Sequence, residues 1–168
     1  MEKQIKEIKI FGENHSEKAD KIRTACRGLI LKDDKILLSY ETKNDQYMIP
    51  GGGIENNESE QECCKRELAE ETGLVVETSE PVLQIHEFYR DWDFKSLYFI
   101  CHITGETDRH LTKREQEVGM EPRWIPIKEA VEIFSKYNDY TKTDELRQGM
   151  YLREYTALRE ILCDTVQC

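Results

Sequence analysis

No stretch of this chain has the length and apolarity of a membrane span, and the opening Met1-Glu2-Lys3-Gln4 lacks the apolar core of a signal peptide. A cytosolic location is therefore expected. Positive charge is also short: 24 lysines and arginines stand against 34 aspartates and glutamates, a net charge of −10. That balance leaves no basic footprint for a duplex, so nucleic acid is not the expected partner, an RNA end excepted. Metal-type cysteine spacing is missing as well. Cys26, Cys63, Cys64, Cys101, Cys163 and Cys168 form no CxxC pair, and reduced thiols are the expected state, with Cys26 and Cys101 in apolar strand-like runs that read as core. His15, His86, His102 and His110 show no ligand spacing either. With no repeat, low-complexity tract or linker, the 168 residues read as a single domain able to bury a sizeable core.

What the chain does have is concentrated between Gly52 and Leu74, GGIENNESEQECCKRELAEETGL. Met48-Ile49-Pro50 runs into Gly51, Gly52 and Gly53, which ends a strand and permits a turn with close backbone approach. Asn57, with Glu60 three residues on, reads as an N-cap and capping box, so a helix is expected from about Glu58 to Thr72, closed by Gly73 in the left-handed position. On that helix Glu67, Glu70 and Glu71 stand at i, i+3 and i+4, projecting from one sector about 100° wide. Cys64 and Leu68 fall on the flank expected to be buried. Carboxylates so crowded call for positive charge among them, and hard cations such as Mg²⁺ or Mn²⁺ prefer oxygen ligands. Arg66, four residues before Glu70, is positioned to tie down a carboxylate. A solvated acidic face is the plain alternative for the glutamates taken alone.

The full spacing, Gly52, Glu58, Arg66-Glu67-Leu68, Glu70-Glu71 and Gly73-Leu74, resembles the complete box of the Nudix hydrolases. The Pro-Gly-Gly-Gly turn before it and Trp124-Ile-Pro-Ile-Lys-Glu-Ala130 after it also look like that family's layout. The resemblance implies an α/β/α sandwich with a mixed central sheet. It further implies Mg²⁺- or Mn²⁺-dependent hydrolysis of a pyrophosphate bond, in a small nucleotide substrate built as a nucleoside diphosphate linked to another group. On the family's pattern Glu67 and Glu71 are the expected metal ligands, Glu70 a ligand or the general base, and Gly52 a backbone-carbonyl ligand. Glu58 would position Arg66 or a water on the metal. A late-loop carboxylate, Glu117 before Glu121, is the expected additional ligand. A nucleotide-binding regulatory domain without turnover is the alternative, which loss of a box glutamate would signal; none is lost.

Outside the box, Thr24 to Leu31 and Lys35 to Tyr40 read as a hairpin around Asp33-Asp34, followed by short or extended strands at 46–49, 81–89, 96–103 and 123–125. Residues 128–137 have helical periodicity. A longer helix is expected from Thr143 to Cys163, with Leu146, Met150, Tyr151, Tyr155, Leu158 and Leu162 as a stripe for the core or for a homodimer contact. The first twenty residues read as an added edge strand, Ile5 to Phe11, or a mobile arm. The mixed α/β pattern predicts a sheet between helices. Candidate substrate contacts are Arg23 just before the first core strand and Arg27 within it, with Tyr89 and Arg90 in an aromatic, charged loop; solvated or structural arginines and a plain surface hairpin tip are the alternatives. Family members acting on ADP-ribose often carry a proline about where this chain has Tyr89, which points away from that substrate.

Overall fold

A computed structural model describes residues 5–13, 15 and 20–163. The strands are β1 (Lys6–Phe11), β2 (Lys21–Lys32), β3 (Lys35–Glu41), β4 (Gln46–Met48), β5 (Gly51–Gly53), β6 (Leu74–Thr78), β7 (Leu83–Phe88), β8 (Trp92–Glu106) and β9 (Met120–Pro126). The helices are α1 (Glu60–Thr72), α2 (Lys113–Val118), α3 (Ile127–Ser135) and α4 (Glu145–Leu162), with a 3₁₀ turn at Lys136–Tyr140 after α3.

The strands form one mixed sheet in the order β1-β7-β8-β2-β3-β4, with β5 on β2, β6 on β8 and β9 on β3. β1–β7 and β2–β8 are parallel and the remaining pairs antiparallel. Alternation along the strands divides the core into two layers. Leu29, Ile36, Leu38 and Tyr98 pack with Ala130 and Phe134 of α3 and Tyr151, Ala157, Leu158 and Leu162 of α4. Their chain neighbours Ile30, Leu37, Leu97 and Phe99 point the other way, onto Cys63, Cys64 and Leu68 of α1. Helices thus cover both faces, as an α/β/α sandwich requires.

Several sequence expectations shift. The box helix starts at Glu60, and its N-cap is Ser59, whose hydroxyl accepts the Glu62 N–H while the Glu62 carboxylate accepts the Ser59 N–H. Asn57 cannot serve, because it adopts φ +65 in the preceding turn whereas an N-cap needs extended backbone. The expected end holds: Gly73 is left-handed at φ +74. On α4, Tyr151, Leu158 and Leu162 are buried, but Leu146, the second residue of the helix, is 89% exposed and beyond the reach of the core. β5, β6 and α2 are additions to the expected elements: the glycine run expected as a turn instead forms β5, whose Gly51, Gly52 and Gly53 pair antiparallel with Arg27, Cys26 and Ala25 of β2. Ile5 to Phe11 does supply an edge strand, whereas the rest of the expected arm, residues 1–4, 14 and 16–19, lies outside the described residues, as does Cys168. Cys26, Cys63, Cys64 and Cys101 are buried free thiols, and no described helix is long and apolar enough to cross a membrane.

Candidate active site

α1 lies against β2 and β5, so its acidic face looks into a cleft of about 580 Å³. Arg66 organises that face. Its Nε donates to both Glu58 oxygens at 3.1 and 3.2 Å, and its Nη1 reaches Glu67 Oε1 at 2.8 Å and Glu70 Oε2 at 3.1 Å. Nη2 closes on the Gly53 carbonyl at 3.2 Å. The planar fork is therefore filled on every side, which fixes the carboxylates in place. Burial works against the Arg66 charge, but Glu58 and Glu67 outweigh it and raise its pKa.

The glutamates differ in environment. Glu71 is buried, accepting the Ser39 hydroxyl at 2.7 Å and, weakly, the Gly51 N–H at 3.4 Å. Burial pushes its pKa up to about 8 against the Ser39 hydrogen bond. Glu67 is raised too, by burial, with Arg66 opposing. Glu70 is the most open of the three, its side chain 37% exposed. Gly52 is pressed against Glu67: a Cβ on Gly52 would stand 2.5 Å from the Glu67 carboxyl carbon, so any side chain there would displace it. The Gly52 carbonyl accepts the Cys63 thiol at 3.5 Å.

Among the described residues, no three carboxylate, imidazole or thiolate side chains converge as a ready-made metal cage. The donor chemistry nonetheless fits a hard divalent cation, since Glu67, Glu70 and Glu71 offer only oxygens, and two of them carry burial costs that a cation would relieve. This gives a pH prediction. Glu71 holds its proton more tightly folded than unfolded, so the stability linked to it is full below pH 4.5 and lost as pH rises through about 8. In chelator, wild type is expected to lose stability relative to Glu71→Gln over that window, by roughly 5 kcal/mol at most. Denaturant melts from pH 5 to 9 check it; parallel curves for the two proteins would refute it.

Arg23 and Arg27 line the same cleft. Arg27 donates to the Ile49 carbonyl at 3.3 Å and lies 3.9 Å from Glu154. Tyr89 and Arg90 do not line it; they border a second hollow of about 370 Å³ between the end of β1 and the start of α4. Glu117 is exposed, 4.0 Å from Lys113, and Glu121 pairs with Arg123. The late carboxylate that does reach the cleft is Glu115, on α2, whose Oε2 accepts the Thr112 N–H at 2.7 Å. Thr112-Lys-Arg-Glu115 is a capping-box pattern that the sequence displayed. Glu41, Lys95, Arg114 and Arg153 also line the cleft, and no local motif announced them.

Comparison with known proteins places this arrangement. The NUDIX domain profile matches residues 21–146, three quarters of the chain and every carboxylate that lines this cleft. The chain belongs to the NUDIX family. Nudix relatives include an ADP-ribose pyrophosphatase of Methanocaldococcus jannaschii, 36% identical over 84 residues, covering 40% of this chain and 49% of that protein. An RNA pyrophosphohydrolase of Ruthia magnifica is 36% identical over 77 residues, covering 45% and 42%. This Nudix chain thus aligns with about half the length of those two relatives. Among solved structures, a NUDIX hydrolase from Nitrosomonas europaea superposes with TM-score 0.56 at 23% identity, covering 80% of this chain and 88% of that one. The E. coli ORF135 protein does so with TM-score 0.54 at 21% identity, covering 84% and 93%. At those identities the likeness is one of fold.

Proposed function

We propose that this Nudix chain hydrolyses a pyrophosphate bond in a nucleoside diphosphate linked to another group, with Mg²⁺ or Mn²⁺ held by Glu67 and Glu71. The observation that carries it is one cleft with linings of both signs: the carboxylates of Glu67, Glu70 and Glu71 on α1 together with Arg23, Arg27 and Lys95. Pyrophosphate needs both, because its charge must be neutralised at the reacting phosphorus and held at the flanking phosphate. Bound there, the cation would offset substrate charge and acidify the attacking water. Arg66 keeps the carboxylates oriented, Glu58 keeps Arg66 oriented, and the missing side chain of Gly52 leaves room for Glu67. Glu70, the most exposed of the three, is the carboxylate best suited to accept the proton from water. Relatives named pyrophosphatase and pyrophosphohydrolase support the same reaction class.

The test is a panel of nucleoside triphosphates, nucleotide sugars, dinucleoside polyphosphates, ADP-ribose and capped RNA, each with and without Mg²⁺. Turnover of at least one compound, abolished by chelator, is expected. Tight nucleotide binding with turnover of none would overturn the hydrolytic assignment.

A further inference from the structure

Glu41 is the last residue of β3, and its side chain is 0% exposed in the wall of the cleft. It lies on the strand face shared with Leu37 and Ser39, and Ser39 hydrogen-bonds Glu71. Two residues along a strand is about 7 Å, so Glu41 sits one side-chain row from the acidic cluster. Its oxygens are treated differently. Oε2 accepts Asn44 Nδ2 at 2.6 Å, which fastens the turn between β3 and β4. Oε1 has no hydrogen-bond partner although it is buried. Arg114 Nη2 forms an ion pair with it at 3.1 Å, outside hydrogen-bonding alignment, from a side chain 66% exposed. The turn therefore uses one oxygen only, and the other is an acceptor held in the cleft wall beside a side chain that little restrains.

The surroundings are sulfur-rich. Gln46 and Met120 flank Glu41 across the strands, and Met48 and Met150 also line the cleft. The Gln46 carbonyl oxygen is taken by Arg147 at 3.1 Å, and its amide nitrogen faces the Met150 sulfur at 3.9 Å. Three thioethers in the lining of one cleft offer polarisable surface to a flat ring. A carboxylate in the same lining accepts an N–H and opposes a carbonyl, the way acidic side chains recognise an exocyclic amine of a base.

We infer that Glu41 reads the base of the substrate: its Oε1 accepts an exocyclic amino group of a nucleobase lying on Met48, Met120 and Met150, with Arg114 moving aside. Amino-bearing bases are selected over their keto counterparts, because a carbonyl would set two acceptors against each other in a buried site. This assignment rests on the substrate being a nucleotide, as proposed above.

The test pairs bases that differ only at that group. Binding of the α,β-methylene analogues of CDP and UDP, and of ADP and IDP, is measured calorimetrically with Mg²⁺ for wild type, Glu41→Gln and Arg114→Ala. Wild type is expected to favour the amino member of each pair about tenfold or more. Glu41→Gln keeps an oxygen for Asn44 and can turn its own N–H₂ toward a carbonyl, so the ratio should collapse toward one. Arg114→Ala should retain the preference, since Arg114 only pairs with the oxygen. A purely structural Glu41 predicts the same ratio in wild type and Glu41→Gln, and that result, or a wild-type ratio within twofold of one, overturns the inference. Base preference in binding without turnover of any panel compound supports Glu41 as reader and sinks only the hydrolysis. Turnover without preference does the reverse.

Discussion

Arg153→Met is expected to remove about 3–5 kcal/mol of folding stability, the cost of leaving buried carboxylates uncompensated. Arg153 is enclosed between α4 and β7, with Nη2 2.6 Å from Glu154 and Nη1 3.4 Å from Glu87. Both glutamates are buried. Burial works against the arginine's charge, yet Glu154 above all, then Tyr98 and Glu87, hold its pKa well above the ordinary value. Once Arg153 is gone, Glu154 keeps Tyr98 at 3.4 Å and Arg27 at 3.9 Å, and Glu87 keeps the Tyr89 hydroxyl at 2.9 Å. Two hydroxyls and a distant cation cannot replace a guanidinium. Urea denaturation reads the effect directly, and Glu154→Gln added to Arg153→Met should recover part of it by removing one stranded charge. A loss under 1 kcal/mol would mean that the carboxylates find water or each other's protons instead.

Glu67→Gln is expected to lower turnover about a thousandfold while leaving the protein as stable as before or more so. The two halves share one cause. Glu67 is held ionisable in a buried position against its own desolvation, a cost that a neutral amide does not carry. The same charge, in the cleft that Arg23 and Arg27 also line, is what a phosphate-bound cation would require; losing roughly 4 kcal/mol of transition-state stabilisation gives that factor. Steady-state rates, divalent-cation affinity and a thermal melt on the same preparation separate the cases. Full Mg²⁺-dependent activity in both Glu67→Gln and Glu71→Gln would remove these glutamates from the chemistry.

The acidic face of α1 was legible because it is local. Glu67, Glu70 and Glu71 need only the 3.6-residue period to share a side, and Gly73 needs only its own backbone to end the helix. The start of the helix was less so, since Asn57 and Ser59 each precede a glutamate by three residues and the choice turned on the left-handed conformation of Asn57. The cleft's other walls come from β3, β8, α2 and α4, which only tertiary packing assembles. Tyr89 shows the same limit from the opposite side. Its aromatic, charged neighbourhood suggested ligand contact, but its side chain is slotted between Gly12 and Gly149, where a Cβ would come within 2.8 Å of the ring and 2.7 Å of the hydroxyl. Two glycines distant in sequence thus set its direction.

β1 carries a consequence of another kind. It lies outermost in the sheet, in parallel register from Lys6 on Leu83 to Phe11 on Phe88, and Lys6 is ion-paired to Glu160 of α4. Without it β7 would present a row of unpaired N–H and C=O groups, a template on which strands of other molecules can add. The region matching the NUDIX domain, residues 21–146, omits this strand and nearly all of α4. A fragment cut to those limits would keep every carboxylate of the candidate site and yet bare both an open sheet edge and the apolar layer under α4. Its foreseeable fate is self-association, because the acidic face of α1 survives while Met150 and Arg153 of the cleft wall and the α4 layer beneath the sheet are gone.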